Sequence, residues 1–497
     1  MEQTAGWFSW AGDTRQQQSG NIVFITFWSQ FAVYALNTIL ILFLTRPLLK
    51  HGLGYSQAKA YVFFGVTQAT GYLMPILGGF MADRVLGLRR AILVGSILLA
   101  IAYLLIMLSG MTIGQMGDTL FIAAYALIPA ANALLMGTAS GMVSRIYSDD
   151  AVRAKSAMTL YYMAINVGAL LATIIAPSLL ESRYGPLSVL ALAFVGKSLS
   201  ALNFAARFRL YDNVIEGQDT RRIGFRGWGR LAAFILAVYA FTLMAYSHVH
   251  LASRLIGIGC ALGMVWFLLQ TLKLSGAARS RQLLAWLLIL EAVVFFIIYN
   301  QMNSTLILFA ESNSNLKLFG FSVSAAHYQL INPLLIVFFG MQLPRFYQRF
   351  PRFDIPWQFA SGTLLAGGAL LIVSFAGHHE GIVRGEWVGL SCALLTLAEL
   401  WVSAVGLSMI GLYCDSKNLA FAMGVWYLAC SMSNAISGHL AGTAAEAEHA
   451  TTALQSLAVY QQYYFKLGIT AIVLGLLMMA VASVVRRAFA RRGLVLA

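Results

Sequence analysis

The chain has 497 residues, of which 59% are hydrophobic and only 10% charged, with a mean hydropathy of +0.75. Soluble domains carry about a quarter charged residues, so this composition excludes a soluble globular protein and points to an integral membrane protein. The net charge of +14 does not signal nucleic acid, because Lys and Arg gather in short loops between apolar runs, the pattern that orients membrane proteins.

The first twenty residues are polar, and Trp7 and Trp10 suggest a segment lying at the membrane interface. The first apolar run is too long for a cleaved leader and reads as a retained span. A span needs about 20 apolar residues. Fourteen candidates follow in chain order: 21–45, 59–82, 90–110, 118–146, 156–180, 187–208, 229–247, 252–273, 282–310, 325–344, 356–377, 387–413, 418–441 and 460–485. They divide as six, two and six. The expected plan is an N-terminal cytoplasmic or interfacial segment (1–20) and a six-helix bundle (21–210). A cytoplasmic loop with an inserted hairpin (211–281), a second six-helix bundle (282–485) and a basic tail (486–497) complete it.

Alternate loops are basic: Arg84, Arg89 and Arg90; Arg145, Arg153 and Lys155; Arg221, Arg222 and Arg226; Lys273, Arg279 and Arg281; Arg345, Arg349 and Arg352; then Arg486, Arg487, Arg491 and Arg492. The opposite loops hold Glu181, Glu311, Glu446, Glu448 and most histidines, with Arg46 and Lys50 as exceptions. Both termini are therefore expected in the cytoplasm and the chain in the inner (plasma) membrane. Cys260, Cys392, Cys414 and Cys430 lie in or beside apolar runs with no metal spacing and read as small apolar side chains.

A charge at the centre of a membrane helix costs about 2.5–3.5 kcal/mol on insertion scales. Glu399, in LTLAELWVSAVGLS, Glu291, in LLILEAVVFF, and Lys197, in LAFVGKSLSAL, all sit there. Lys197 has two readings, a side chain snorkelling to the interface or a buried functional cation. Glu291 is either a neutral buried acid or a proton site, and a buried carboxyl suits proton coupling. Gln68, Asn166, Asn300, Gln301, Asn332 and Asn434 are helix glue by default, and Tyr34, Tyr72, Tyr162, Tyr299 and Trp426 are either packing or cavity wall. Pro75 and Pro333 lie inside spans and are candidate bending points for gating. In the first span, Thr26, Gln30, Tyr34 and Asn37 make a neutral polar stripe.

GGFMADRVLGLRR (78–90) resembles the loop between the second and third helices of major facilitator transporters. The resemblance assigns Asp83, Arg84, Arg89 and Arg90 to contacts between bundle ends during gating. TGYLMPILGGFMADRVLGLRR, LYYMAINVGALLA (160–172), YNQMNSTLILFA (299–310), QLINP (329–333), LTLAELWVSAVGLSMI (395–410) and MGVWYLACSMSN (423–434) resemble, in order, segments of the proton-dependent oligopeptide transporter family. This implies an all-α membrane protein with the major facilitator fold, two six-helix bundles plus an inserted two-helix hairpin.

The family's first-helix pattern E-x-x-E-R-F-x-Y-Y falls on residues 26–34. Its two acids become Thr26 and Ser29, its arginine Gln30, and a further basic position Asn37, while Phe31 and Tyr34 are kept. The fourth-helix lysine falls on Met136 and the seventh-helix acid on Asn300, while the tenth-helix acid remains as Glu399. In the family the basic residues hold a peptide carboxylate and the tenth-helix acid holds its amine. The implied chemistry here is an amine anchor facing a wall without formal charge.

The leading expectation is an alternating-access secondary transporter of a peptide-like or amine-bearing small molecule, proton-coupled by a non-standard route through Glu399, Glu291 or Lys197. Gln30, Tyr34, Asn37, Tyr72, Asn166, Asn300, Asn332 and Trp426 complete the expected cavity. No cofactor or metal is expected, and the unit is a monomer. Alternatives are an exporter of a siderophore-like metabolite and a transport-inactive sensor. No G-x-S-x-G, H-E-x-x-H or P-loop motif suggests an enzyme.

Overall fold

Long apolar runs in a membrane can satisfy their backbone polar groups only by closing helical hydrogen bonds, and the chain does so throughout. The structure, a computed structural model, describes residues 13–350, 353–414, 419–494 and 496. The expected interfacial segment around Trp7 and Trp10 lies outside the described residues. The spans are α1 (Thr14–Thr45), α2 (Gln57–Met81), α3 (Leu88–Met116), α4 (Thr119–Ile146), α5 (Ala151–Leu180), α6 (Pro186–Ala206), α7 (Phe225–Ser247) and α8 (Val249–Leu272). They continue as α9 (Gly276–Asn313), α10 (Ala325–Gly340), α11 (Ile355–Ser374), α12 (Gly385–Tyr413), α13 (Leu419–Ala441) and α14 (Ala453–Arg491). Among the described residues, twelve of these are long and apolar enough to cross a membrane. The other two are α10, which is short, and α13, which carries Ser431, Ser433, Asn434 and Ser437.

Two helices are longer than their apolar runs. The polar start of α1 is helical because Asp13 caps it and Gln18 donates to the Leu210 carbonyl at 2.7 Å. Residues 14–20 thus join α1 rather than forming a separate segment. At the other end, α14 continues through Arg486, which pairs with Asp354 at 2.7 Å, so most of the expected basic tail is helix.

α1 packs on α5 and α6, and α3 on α4 and α6, giving an N-terminal bundle. In the second half α11 packs on α12 and α14, and α9 on α11, α12 and α13. The hairpin bridges them. Thr242 of α7 donates to the Ala126 carbonyl at 2.6 Å, whereas Ser253 of α8 donates to the Ala435 carbonyl at 2.9 Å.

The bundles meet at the end opposite the N-terminus. Arg46 pairs with Glu181 at 2.6 Å and reaches Glu311 at 3.5 Å. The Gln57 backbone N–H donates to Glu448 at 2.6 Å, and the Tyr61 and Tyr460 hydroxyls lie 3.3 Å apart. Two antiparallel hairpins, β1 (Lys317–Leu318) with β2 (Phe321–Ser322) and β3 (His378–His379) with β4 (Ile382–Val383), lie at this same end. His378 and His379 are exposed strand residues. All four cysteines are free thiols.

At the basic end, the sequence reading of the α2–α3 loop needs correction. Arg89 pairs with Asp212 and its backbone N–H donates to Asp219; Arg90 donates to the carbonyls of Gln218, Asp219 and Arg221. Arg145 reaches Asp219 at 3.5 Å, and the Asp219 side chain is fully buried. A Cβ at Gly87, whose φ is +81°, would meet that carboxyl at 2.3 Å. Arg89 and Arg90 therefore clamp the segment after α6 onto their own bundle. Arg84 lies over the Phe80 ring at 4.9 Å, and no partner of Asp83 is found among the described residues.

α2 and α13 touch backbone to backbone: a Cβ at Gly65 would meet the Asn434 carbonyl at 2.6 Å, and one at Gly438 the Tyr61 carbonyl at 2.7 Å. Gly65→Val is expected to cost about 1–3 kcal/mol through overpacking. The check is a melting temperature several degrees lower, with a wider spin-label distance between α2 and α13.

Candidate functional site

The site starts from Glu399, midway along α12 and half-buried. One carboxylate oxygen accepts from Tyr299 at 2.8 Å and from the Asn332 carboxamide at 2.7 Å. Asn332 also reaches the Tyr299 hydroxyl and Thr396 Oγ1, each at 3.3 Å. Three helices, α9, α10 and α12, thus converge on one carboxylate. Partial solvent contact at the middle of a membrane helix means open space in front of it, which charge in a bilayer requires.

Local breaks aim these groups. α9 tightens at Asn300–Asn303, and Ser304 leaves helical geometry before the helix resumes at Thr305. α10 begins as a tight turn over Ala325–Leu330 and becomes α-helical at Ile331, placing Asn332 and Pro333 in its first turn, where proline is tolerated. Pro75 sits inside a continuous α2. The bend beside the site is therefore at Asn300–Ser304, not at either proline.

The facing wall comes from α1. Phe27 and Phe31 lie against Gly168 of α5, and Trp28 and Ala32 against Gly196 of α6. At 100° per residue, Gln30, Tyr34 and Asn37 occupy the face opposite α6. Tyr34 and Tyr72 both lie near the Glu399 carboxyl and Tyr299. Tyr162 of α5 lies near Tyr34 and is 59% exposed. Met136 is 40% exposed where α4 breaks ahead of Gly137, whose φ is +87°.

Other predicted residues lie elsewhere. Lys197 is buried inside the N-terminal bundle, donating to Ser29 at 2.8 Å with its Nζ 5.3 Å from the Tyr103 ring centroid. It does not snorkel, and no carboxylate pairs with it among the described residues. Glu291 is buried two turns before Tyr299, and its Oε2 has no partner among the described residues. Asn166 donates to the Tyr162 carbonyl of its own helix at 2.9 Å. Asn300 Nδ2 is buried without a partner among the described residues. Trp426 is 4% exposed between Phe296 and Phe359, its indole edge over Gly406, and packs the C-terminal bundle rather than facing the space. Gln301 is glue, donating to Ser437 at 2.9 Å and accepting from Tyr463 at 2.8 Å. The sequence reading did not place Tyr299 and Thr396 on Glu399; the available signals were Thr396 one helical turn away and Tyr299 next to the seventh-helix position.

Two helical bundles clasped at one end, with a carboxylate facing a neutral polar wall between them, define a secondary transporter with the major facilitator fold. Comparison with known proteins narrows the class. The POT family model matches residues 89–457. Dipeptide and tripeptide permease A of Citrobacter koseri is 31% identical over 484 residues, covering 95% of this chain and 93% of that one. The same permease of Escherichia coli is 30% identical over 478 residues, covering 95% and 93%. Among solved structures, tetrameric PepTSo2 superposes with a TM-score of 0.82 at 24% identity, covering 96% of this chain and all of that one. A bacterial homologue of the human drug peptide transporters PepT1 and PepT2 superposes with a TM-score of 0.81 at 25% identity, covering 95% and 99%. This chain belongs to the POT family, the proton-dependent oligopeptide transporters.

Asn332→Ala removes the shorter donor to Glu399. A hydrogen bond to a charged group contributes about 1.5–3 kcal/mol to the folded state, so the variant is expected to melt several degrees lower and, with Glu399 less firmly oriented, to bind substrate more weakly. A thermal melt and isothermal titration of the purified protein check this, with a single cooperative transition as the folding control.

Proposed function

We propose that this protein is a proton-coupled carrier of short peptides or peptide-like amines, working by alternating access in a bacterial inner membrane with both termini in the cytoplasm. The observation that carries the reading is the Glu399–Tyr299–Asn332 cluster, with Tyr34 of the α1 face that also carries Gln30 and Asn37 lying near the Glu399 carboxyl. Glu399 takes the substrate amine. The opposite end of the substrate meets carboxamides and a phenol, which hydrogen-bond without charge assistance. The permease names of the relatives support the substrate class, and nothing in them favours an exporter of metabolites or a sensor.

The asymmetry sets a preference. A free peptide carboxylate finds no arginine on α1, so amidated or otherwise uncharged C-termini lose less on leaving water. Proton coupling runs through Glu399, with Lys197 as the ionisable group of the N-terminal bundle. Support comes from the place of Lys197: its only described hydrogen bond is to Ser29, where the family pattern has an acid. Clasping at the Arg46 end supports an inward-facing state. Because both bundles come from one chain, the single chain is read as the functional unit; the relative PepTSo2 is described as tetrameric.

Proteoliposomes test the reading. Uptake of an amidated dipeptide is expected to exceed that of its free counterpart and to rise with an inward proton gradient. Glu399→Gln should lower uptake by at least tenfold while leaving melting unchanged. Lys197→Met should abolish gradient-driven accumulation but preserve substrate exchange. Uptake by Glu399→Gln equal to the parent's would remove Glu399 from the mechanism, and a gradient response in Lys197→Met would remove Lys197.

A further inference from the structure

On the flank of the C-terminal bundle, the basic end of α10, the middle of α12 and the neighbouring part of α11 line a crevice of about 470 Å³. Its walls are apolar, built by Phe339, Leu365, Leu397 and Trp401. Arg345 and Arg349, on the short helix Leu343–Arg349 that follows α10, complete the lining and are both exposed. No ion pair to either is found among the described residues. The next acid along the described chain, Asp354, is already held by Arg486 at 2.7 Å.

The crevice is separate from the transport site. Leu397 and Trp401 are each two residues from Glu399, which puts them about 160° around α12 from it. The hairpin covers a different flank: α7 fills a groove of the N-terminal bundle, with Val238 packed among Met74, Ala130 and Ala133. No described element of the chain fills the crevice beside α10.

We propose that this crevice binds an anionic phospholipid, with an acyl chain between α10, α11 and α12 and the phosphate between Arg345 and Arg349. The apolar wall selects hydrocarbon over a free phosphate ion. The volume suits a chain rather than a helix, which with side chains is about 10 Å across. Two guanidinium groups at the basic end meet the phosphate as paired donors, and the cytoplasmic leaflet supplies anionic headgroups there. A lipid so seated braces the helix that carries Glu399, from its far side.

The full-length protein in neutral detergent tests this with phosphatidylglycerol against phosphatidylcholine. Phosphatidylglycerol is expected to raise the melting temperature more. Each arginine contributes about fivefold in lipid affinity, so R345Q/R349Q should lose the difference while melting normally in phosphatidylcholine. Brominated phosphatidylglycerol should quench the parent's fluorescence more than that of Trp401→Phe, which keeps the site readable without the arginine variants. Equal stabilisation by the two lipids, a preference retained in R345Q/R349Q, quenching unaffected by Trp401→Phe, or full stabilisation by inorganic phosphate alone would each overturn the proposal.

Discussion

A carboxylate at the middle of a membrane helix must be hydrated or hydrogen-bonded, because hydrocarbon can do neither. Glu399 imposes that requirement on the C-terminal bundle. Its donors come from α9 and α10, so three helices are fixed by one side chain. The break at Asn300–Ser304 and the tight first turn of α10 place Tyr299 and Asn332 around it. Because Glu399 is only half-buried, the same requirement calls for polar surroundings on its open side.

The N-terminal bundle answers with a wall lacking formal charge. Its own buried cation, Lys197, points away from that wall, toward Ser29 and Tyr103. The two halves therefore divide the electrostatics unequally: one exposes an acid to the path, while the other buries a base behind it. Under the proposed function, a substrate between them would be oriented by a single charged end, with the rest held by hydrogen bonds and aromatic surface.

Much of the architecture was legible in the sequence because span length and basic loops report directly on the bilayer. Fourteen apolar runs became fourteen helices, and the family resemblance located Glu399 correctly on the tenth helix of the two bundles. Helix ends were less legible. Residues 14–20 are polar and still helical, since Gln18 and Asn21 find partners on the segment after α6, a contact no local pattern encodes. The bend in α9 carries no proline or glycine and follows from its surroundings. For the candidate site, composition marked Glu399 and Asn332 as out of place, yet their meeting with Tyr299 depends on helix phase. Trp426 shows the converse: its type suits a cavity, and only packing against Phe296, Phe359 and Gly406 reveals a core residue. Arg89 and Arg90 were read as gating charges between bundles, but Arg89 meets Asp212 and Asp219, and Arg90 the backbone carbonyls, of an irregular segment whose path no periodicity predicts.

The hairpin carries a mechanical consequence. α7 is fastened to one half at Ala126 and Thr70, α8 to the other at Ala435, and only His248 separates them, leaving almost no slack in the strap. That short link lies at the clasped end. Splaying the halves at the far end swings the two arms like tongs about a shared fulcrum and strains the link little. Parting the clasped end would instead load the fulcrum itself, so the geometry of the strap would make the two directions of swing unequal in stiffness.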